Sequence, residues 1–450
     1  MTPNPAVMEA VESLDYRVTV GDLAASAGLD LNTAQRGLIT LAADTQAHLQ
    51  VSEAGEIAYE FPKNFRAVLR NKYWRVRLQE TWDRIWGVLF YLIRISFGIL
   101  LLLSILIIVA AIVVIIVALN SSQKDDNRSS SRSGGGGMMF IPRFWVGDLF
   151  WFFHYSPNRQ RQQPQRQTGR SGDDDDMNFL EAVFSFLFGD GDPNADLEER
   201  RWQTIGTVIR NNGGAVAAEQ ITPYLDGFGE SWAKDDDDYM MPVLLRFNGV
   251  PQVSPQGNII YHFPELQVTA NEGQGVASRS YRKSSSVAAY LKEASWRFSQ
   301  ASSGKLTMAA GLGIFNFVAA IVLGALMQDP ALVAELGGFI AFVNSIYWLL
   351  LGYGTAFLAV PAVRYFWVKR QNRRIETHNE WRQERAIALN QISEVVQDKI
   401  DYAQKFVTQT VVTKDDLAYT TDQDLIEQEA DQKEKLDAEW LKRLDGSDSP

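Results

Sequence analysis

The chain has 450 residues, a formal net charge of −11 and no cysteine. This length allows two or three domains. The lack of cysteine excludes disulfides, thiolate zinc sites, cysteine-ligated iron–sulfur clusters and cysteine nucleophiles. The histidines are scattered and lack the spacing of metal ligands; they are His48, His154, His262 and His378.

The first 64 residues predict a winged-helix-like domain, in which helix, strand, helix, helix and hairpin follow each other. Hydrophobic periodicity and turn residues place the first four of these elements in that order. Asp30 or Asn32 is suited to cap the third helix, because its side-chain oxygen can accept a hydrogen bond from a free backbone N–H. The expected bounds are about Pro5 to Leu14, Arg17 to Val20, Gly21 to Gly28 and Leu31 to about Thr45.

A short stretch occurs twice. Residues 51–62 read VSEAGEIAYEFP, residues 253–264 read VSPQGNIIYHFP, and seven of the twelve paired positions are identical. Each stretch predicts a hairpin, since glycine readily takes the positive φ of a tight turn. Alternate side chains of the second strand should form one apolar face in each copy; they are Ile57, Tyr59 and Phe61 in the first and Ile259, Tyr261 and Phe263 in the second.

The segment before the second hairpin predicts the same order of elements. We expect them at about Leu197 to Asn211, Ala215 to Ala218, Glu219 to Leu225 and Tyr239 to Phe247. An insertion of roughly Asp226 to Asp238 precedes the third helix. Because an internal repeat supports both copies, we predict one winged-helix-like domain at 1–64 and, together with an amphipathic segment, a second at 177–268.

The charge of both copies argues against DNA binding. Residues 1–60 hold two basic side chains, Arg17 and Arg36, against nine acidic ones, and residues 198–268 hold five basic against ten acidic. Nucleic-acid binding needs a basic face, because the neutralisation of phosphates supplies most of the affinity. We therefore expect both copies to be protein-interaction modules, and we do not expect nucleic acid as a partner.

Three apolar stretches, 95–119, 308–327 and 339–363, predict transmembrane helices. Each is long enough to cross the hydrocarbon core of a bilayer, and none contains a charged residue. A transporter or proton pump would normally have ionisable residues within its spans, so the pattern does not favour that class. The sequence predicts an integral membrane protein.

The basic residues pose a topological problem. They are concentrated before the first span, before the second and after the third, and the positive-inside rule places all three flanks on the cytoplasmic side. Three crossings cannot satisfy this rule. The segment 138–155, MMFIPRFWVGDLFWFFHY, is either an aromatic membrane-associated helix or a crossing or re-entrant dip. The second alternative would bring both winged-helix-like domains and the tail to the cytoplasmic side.

The remaining segments connect these parts. Basic and aromatic residues over 65–94 predict an interfacial helix at an anionic lipid surface, with a solvated extension of the span as the alternative. Low complexity predicts flexible linkers at 120–137 and 156–176. We expect an amphipathic connector over 269–307. Over 364–450 we expect a charged helical tail, either packed on a partner or on the soluble domains through a partial apolar stripe, or standing as a solvated stalk.

One acidic stretch invites a metal interpretation. Asp190, Asp192, Asn194 and Asp196 match the first four ligand positions of a calcium loop. The sixth position is Ala195 instead of glycine, and the twelfth is Arg201 where a bidentate glutamate is needed. The alternative fits better: Asp196 and Glu199 have the spacing of a capping box that opens the next helix.

The sequence contains no recognisable catalytic constellation. It has no Ser/His/Asp grouping with local support, no Gly-rich phosphate loop after a strand and no metal-ligand cluster. We therefore expect no enzymatic activity and no cofactor, and we assign no catalytic, cofactor-binding or metal-binding residue.

Three stretches resemble a family of cyanobacterial and plastid integral membrane proteins. They are MNFLEAVFSFLFGDGDPN at 177–194, NNGGAVAAEQITPYLD at 211–226 and GNIIYHFPELQ at 257–267. The family is uncharacterised and is loosely labelled with iron–sulfur cluster biosynthesis, and the resemblance implies a link to photosystem I assembly in thylakoids. Without cysteine the chain cannot hold a cluster through thiolates, so any such role would consist of holding a client. The absence of an Arg/Ser-rich transit region favours a bacterial source.

These features lead to two hypotheses. The first is a membrane-integral scaffold or assembly factor that presents two acidic winged-helix-like modules to subunits of a membrane complex, with photosystem I as the client that the resemblance implies. Two tethered modules would give avidity toward a large or symmetric partner. The alternative is a membrane-anchored transcriptional regulator that binds nucleic acid through the winged helices.

Overall fold

The computed structural model describes a helix-rich protein with small β-sheets, as predicted. The described residues are 4–72, 74–122, 177–226, 238–270, 287–390, 394–413 and 417–430, with 433, 437 and 440. The predicted membrane-associated segment 138–155 and the predicted linker 156–176 lie outside them, as does most of the linker 120–137.

Helices dominate the chain. The helices are α1 (Pro5–Ser13), α2 (Val20–Ala27), α3 (Leu31–Thr45), α4 (Phe65–Lys72), α5 (Trp74–Ser122), α6 (Phe179–Phe188), α7 (Leu197–Asn211), α8 (Met241–Phe247), α9 (Ser303–Leu326), α10 (Pro330–Leu336), α11 (Gly338–Asn390) and α12 (Glu394–Ala403). The strands are β1 (Arg17–Thr19), β2 (His48–Ser52), β3 (Ile57–Glu60), β4 (Ala215–Val216), β5 (Val250–Val253), β6 (Ile259–His262), β7 (Val268–Thr269), β8 (Thr410–Val411) and β9 (Leu417–Thr420).

The chain divides into two compact units, each built from separate stretches. Unit 1 combines Met1–Trp82, Pro193–Ser295 and Arg374–Pro450, and unit 2 combines Asp83–Asp192 and Trp296–Arg373. Unit 1 contains the sheets, whereas unit 2 contains most of the long apolar helices.

Unit 1 contains the predicted repeat. We call the part from α1 to β3 module 1 and the part from α7 to β6 module 2. The three strands of module 1 pair in the order β1-β3-β2 and those of module 2 in the order β4-β6-β5, and every pair is antiparallel. One hydrophobic core runs through both modules, with Leu23, Leu38 and Phe65 from the first part of the chain and Ile205, Phe247 and Phe263 from the second.

Backbone hydrogen bonds match between the modules. Tyr16 and Gly214 hold equivalent positions after the first helix, and both have positive φ. Each donates its N–H to a carbonyl of that helix at 2.9 Å, and its own carbonyl accepts at 2.7 Å from the phenylalanine that follows the hairpin. The partners are Val11 and Phe61 for Tyr16, and Ile209 and Phe263 for Gly214.

The two hairpins turn in the same way. In the first, the N–H of Ser52 donates to the Glu56 carbonyl at 2.9 Å, and the Ser52 carbonyl accepts from the N–H of Gly55 at 2.9 Å. Around Ser254 the corresponding distances are 2.8 and 2.9 Å. Gly55 and Gly257 share a φ of +86°, a left-handed conformation that glycine adopts without steric cost. The predicted hairpins are therefore confirmed.

Two of the residues predicted for the apolar faces are exposed. Ile57 is 42% exposed and Ile259 is 37% exposed, because both lie at the tip of the hairpin, beyond the core. The other residues of the predicted faces, Tyr59, Phe61, Tyr261 and Phe263, are buried as expected. The opposite face of each second strand is buried as well, through Ala58 and Ile260. The prediction of hairpins with only one apolar face is thus wrong: each hairpin is covered on both sides.

The predicted helix from Glu219 to Leu225 is also wrong. This stretch forms two 3-10 turns, Ala218–Gln220 and Thr222–Tyr224. Pro223 has no N–H to donate to the carbonyl four residues before it, so an α-helix cannot be completed here. Module 2 therefore replaces α2 of module 1 with a tighter, shorter turn.

The tail is not helical throughout, contrary to the prediction for 364–450. After α12 the chain forms β8 and β9. The β-branched residues of Thr410–Val411 suit a strand, and Leu417–Thr420 pairs with the edge strand β2 of module 1, whose outer backbone groups need partners. β8 pairs with β7 in parallel. Behind the sheets, Val412 packs near Ala58, and Ala403 packs near Ile260.

Three helices of the described residues are long and apolar enough to cross a membrane. They run over Arg84–Asn120, Ser303–Leu326 and Gly338–Leu389. They contain the predicted spans 95–119 and 339–363 and all but the last residue of the span 308–327. Residues predicted as a separate interfacial helix at 65–94 belong partly to α4 and partly to α5, which continues into the first apolar helix. The predicted connector at 269–307 contains β7 at its start and α9 at its end.

The three apolar helices pack side by side in unit 2. One buried cluster joins α5, α9 and α11 through Leu101, Ala309 and Phe357. Another joins the later parts of α5 and α9 to the beginning of α11, through Ile115, Leu323 and Ile340. Hence α5 and α9 run in the same direction and α11 in the opposite one.

The Phe-rich helix α6 packs against this bundle. Its Val183 and Leu187 are buried with Leu101 of α5 and Phe357 of α11. Asn178 and Glu181 form a capping box at its first turn. The apolar character of this segment is therefore explained by packing between long helices.

A buried acidic residue fixes the end of α6. Asp190 Oδ1 lies 2.7 Å from a guanidinium nitrogen of Arg94, and Asp190 Oδ2 accepts from the Ser185 hydroxyl at 2.6 Å and from the N–H of Gln300 at 2.8 Å. Arg364 donates to the Ser185 carbonyl at 3.1 Å. A cation at the carboxyl end of a helix is favoured by the helix dipole.

We expect Asp190→Ala to destabilise unit 2. The substitution leaves the partly buried Arg94 without its counter-ion, and breaking such a pair costs about 3 kcal/mol. Thermal unfolding of the detergent-solubilised protein measures the effect. Glu335→Ala, at an exposed position of the same unit, should change stability by less than about 0.5 kcal/mol. Equal effects of the two substitutions would contradict this account.

Candidate interaction site

The two modules of unit 1 meet through small residues. Helix α2 of module 1 packs on helix α7 of module 2, and a Cβ placed on Gly206 would lie 3.1 Å from the Cβ of Ala25. A Cβ on Gly28 would lie 3.1 Å from the Cβ of Trp202. Glycine at these two positions allows the helix backbones to approach closely. The close approach lets one core run through both modules.

Asp22 is the central polar contact between the modules. It is 2% exposed, and its Oδ1 lies 2.7 Å from a guanidinium nitrogen of Arg210 on α7. Its Oδ2 accepts from the N–H of Thr19 at 3.1 Å, completing the capping box of α2, and from the N–H of Ala270 at 2.8 Å. One carboxylate thus serves module 1, module 2 and the segment that follows module 2.

Arg246 of α8 forms a second contact. It donates to the carbonyl of Gly28 at 2.9 Å, and its guanidinium lies 4.3 Å from the ring centre of Trp202. Burial lowers the pKa of Arg246, and the nearby carboxylates of Asp30 and Glu198 oppose that shift. A cation held over an indole ring and bonded to a buried carbonyl contributes to attachment even without a direct ion pair.

Two arginines in the last part of α11 bind module 2 and the segment that follows it. Arg382 is 1% exposed, and it contacts Asp226 at 2.5 Å, Glu293 at 2.6 Å and the Leu291 carbonyl at 2.9 Å. Arg385 donates to the Leu225 carbonyl at 3.1 Å. Two buried arginines therefore hold the turn after the 3-10 segment of module 2, so module 2 packs on the end of the helix that carries the third candidate span.

The C-terminal tail makes different hydrogen bonds with the two hairpins. The N–H of Thr421 donates to the Leu49 carbonyl at 3.0 Å, next to the β2–β9 ladder. Counting from the two matching hairpins, Pro251 is the equivalent of Leu49 on β5. Proline has no N–H for a ladder and is typical of protected edge strands. In addition, the Tyr402 hydroxyl donates to the Val253 carbonyl at 3.1 Å.

Equivalent apolar side chains are exposed on both modules. α3 and α8 each end at a residue with positive φ, Gln46 and Asn248. Ile39 precedes Gln46 by seven residues and is 51% exposed, and Met241 precedes Asn248 by seven residues and is 55% exposed. Together with the exposed hairpin residues Ile57 and Ile259, these pairs give each module a matching apolar position on its third helix and on its hairpin. Single exposed apolar residues are common on protein surfaces; what distinguishes these is that they recur at equivalent positions of both modules.

The acidic stretch at 190–196 contributes its polar groups to the fold. Asp190 is engaged with Arg94, as described above, and Asn194 exchanges two hydrogen bonds of 2.8 Å with the backbone of Ala294. Asp196 begins α7 but its side chain makes no capping hydrogen bond; it pairs with Arg200 at 2.9 Å. The predicted capping box with Glu199 is therefore wrong. Within the described residues, no group of three or more His, Asp or Glu side chains is arranged to hold a metal ion.

Sequence reasoning missed the residues that join the modules. The spacing of Thr19 and Asp22 is that of a capping box, which signals the helix start but not the second role of Asp22. Arg210 and Arg382 carry no local signal, because a cation on a polar helix is normally solvated. Only their burial against distant carboxylates reveals them.

These features define a helix-rich protein with two small joined modules and three helices suited to cross a membrane. The chain is 38% identical over 424 residues to the Arabidopsis thaliana "Uncharacterized protein At5g03900, chloroplastic", and the match covers 94% of this chain and 79% of that protein. The chain belongs to the same family. No protein-family model matches it, and no solved structure matches it. The chloroplastic relative and the three apolar helices are consistent with a plastid membrane.

We expect Asp22→Asn to loosen the two modules from each other. The substitution removes the charge that compensates Arg210, and breaking a buried pair costs about 3 kcal/mol. In a double-mutant cycle with Arg210→Gln, the coupling energy should reach about 1–3 kcal/mol. Thermal unfolding provides the measurement, and Glu9→Gln on the exposed face of α1 is the matched control. Additive effects of the Asp22 and Arg210 substitutions would contradict a direct pair.

Proposed function

We propose that the chain is a membrane-integral scaffold or assembly factor that binds subunits of a membrane complex through two winged-helix-like modules. The observation that carries this proposal is the matched exposure of Ile39 with Met241 and of Ile57 with Ile259, on modules that share one core. Two equivalent apolar positions on one unit favour a large or symmetric client, because engaging one module raises the effective concentration of the other.

The surface charge supports a protein client over nucleic acid. Arg36 is the single basic residue of α3, the helix that would enter a DNA groove in a winged-helix protein. At the hairpin of module 1, burial and the neighbouring Glu265 carboxylate both raise the pKa of Glu56. A surface on which carboxylates crowd each other repels phosphates. The regulator hypothesis therefore stays the second candidate.

The direction of the helices supports a single side for all soluble parts. The starts of the apolar stretches 95–119 and 308–327 and the end of the stretch 339–363 lie at the same end of the bundle, and basic residues flank all three. We call this the basic end. The connection between α9 and α11 at the other end carries Asp329 and Glu335. We propose that the basic end faces the cytoplasm or stroma.

Labelling of single cysteines tests this topology, because the natural chain has none. Cysteine introduced at Glu9, Gln256 and Ser171 should react with an impermeant thiol reagent from one side of sealed membranes. Cysteine at Asp329 should react only from the other side. Labelling of the Ser171 and Asp329 positions from the same side would contradict the proposal.

The client class we propose is a complex of the plastid or cyanobacterial photosynthetic membrane. The chloroplastic relative supports this compartment, and photosystem I remains the candidate that the family resemblance suggested. The proposal assigns no catalytic step to the chain. Binding of anionic lipid at 65–94 remains part of the proposal.

Capture of the client is the decisive experiment. Tagged protein would be crosslinked in its native membranes, solubilised in mild detergent and analysed by mass spectrometry, beside the double variant Ile39→Asp/Met241→Asp. We expect subunits of one membrane complex with the wild type and at least a tenfold loss with the variant. The single exposed substitution Glu9→Gln should leave recovery unchanged.

Other outcomes would replace the proposal. Recovery of DNA and nucleoid proteins, with salt-sensitive binding in a mobility shift, would favour the regulator. Recovery of the bait alone in all variants would contradict the scaffold.

A further inference from the structure

Some basic side chains at the basic end of the bundle have no ion-pair partner among the described residues. Arg94 and Arg364 are bound within unit 2, as described above. Arg297, Lys369 and Arg370 are exposed instead, and in the described part of the chain none of them forms an ion pair or a hydrogen bond. Unneutralised cations that share one end of an apolar bundle are available to a ligand.

The backbone around Arg297 is fixed on α11. The side-chain amide of Asn372 donates to the Trp296 carbonyl at 2.9 Å and accepts from the Trp296 N–H at 2.8 Å. Arg364 donates to the Phe298 carbonyl and lies 4.6 Å from the centre of the Phe298 ring. The chain is therefore held on both sides of Arg297, while its side chain stays exposed. A fixed backbone lowers the entropy lost when that side chain binds something.

Aromatic rings flank this position. The Trp296 ring lies 5.1 Å from that of Trp367, and the Phe298 ring lies 6.4 Å from that of Tyr365. Phe366 on α11 is 70% exposed. Exposed aromatic residues at the end of an apolar helix mark the headgroup level of a bilayer. The bundle would therefore enter the membrane at this level.

The unneutralised cations lie just beyond that level. Lys369 and Arg370 follow the aromatic residues by about one helical turn, which is about 5–6 Å along the axis. No acidic residue occurs over 364–375 or over 296–310. The side chains are thus placed where lipid phosphates or sulfonates lie, without a competing carboxylate on either stretch.

We propose that Arg297, Lys369 and Arg370, with Phe366 and Trp367 beside them, form a binding site for the headgroup of an anionic lipid. We call this the anionic-headgroup site. Each cation near an anionic surface strengthens binding by about fivefold. Because the backbone around Arg297 is fixed, we expect binding of a single headgroup at this position in addition to the general attraction of the basic end to a negatively charged membrane surface. The site requires that the bundle lies in a membrane but not that the chain is a scaffold. It is separate from the lipid contact predicted over 65–94.

Lipid titration of the full-length protein in detergent tests the site by native mass spectrometry. Phosphatidylglycerol and phosphatidylcholine with identical acyl chains are the two probes. We expect phosphatidylglycerol to bind about a hundredfold more tightly to the wild type, because each of the three cations contributes about fivefold. The triple variant Arg297→Gln/Lys369→Gln/Arg370→Gln should lose this preference and keep its binding of phosphatidylcholine.

A charge-matched variant separates a local site from the overall charge. Arg36→Gln/Lys63→Gln/Lys433→Gln changes three exposed cations of unit 1 and should keep the full preference. Equal losses in both triple variants would overturn the site, as would equal binding of the two lipids by the wild type. If the first triple variant does not fold, Arg297→Gln alone should still lower phosphatidylglycerol binding about fivefold, and no change there would overturn the site.

Inorganic phosphate distinguishes a lipid from a free anion. Phosphate at millimolar concentration should not displace phosphatidylglycerol, because the aromatic residues contribute contacts to the lipid that a free anion lacks. Complete displacement would overturn the lipid assignment in favour of a soluble anion.

Discussion

A single buried carboxylate, that of Asp22, connects the two modules of unit 1 to each other and to the segment that follows them. It caps α2 within module 1, pairs with Arg210 of module 2 and accepts from the N–H of Ala270. Burying a charge is costly unless every lone pair finds a partner, so these three segments must come together for the carboxylate to be tolerated. The shared hydrophobic core supplies most of the driving force, while Asp22 selects one arrangement of the two modules.

The duplication gives two modules that match in geometry but differ in their surroundings. Tyr16 and Gly214 make the same backbone bonds, although only one of them is a glycine. The edge of β2 accepts a strand from the tail, whereas β5 carries Pro251 at the equivalent position. The tail therefore packs differently on each sheet and leaves equivalent helix and hairpin positions exposed on both. A partner would meet two similar surfaces with different edges.

Much of this architecture could be predicted from local sequence. The bounds predicted for α3 and α7 agree with the structure, because apolar periodicity marks both helices and Asp30 caps α3 as expected. The turn glycines Gly55 and Gly257 predicted the hairpins, and the length of the three apolar stretches predicted the long apolar helices. The strands of the tail and the burial of Ala58 and Ile260 were missed, because both depend on segments far away in the sequence. The pairing of Asp22 with Arg210 likewise has no local signature, since each residue alone is normal for a helix end.

The central claim is that the two modules form one joined unit, and a disulfide tests it directly. In the naturally cysteine-free chain, Ala25→Cys/Gly206→Cys places two thiols where the Cβ atoms would lie 3.1 Å apart. This is shorter than the roughly 3.5–4.5 Å of a disulfide, so the two helices must separate by a few tenths of an ångström for the bond to form. Mild oxidation in native membranes should crosslink this pair, and a cleavage site engineered within 123–176 makes the link visible by electrophoresis. Val253→Cys/Ile259→Cys, across the hairpin of module 2, serves as the oxidation control. Efficient linking between Ala25 and Gly206 is the predicted result. Linking of the control pair alone would contradict the joined unit.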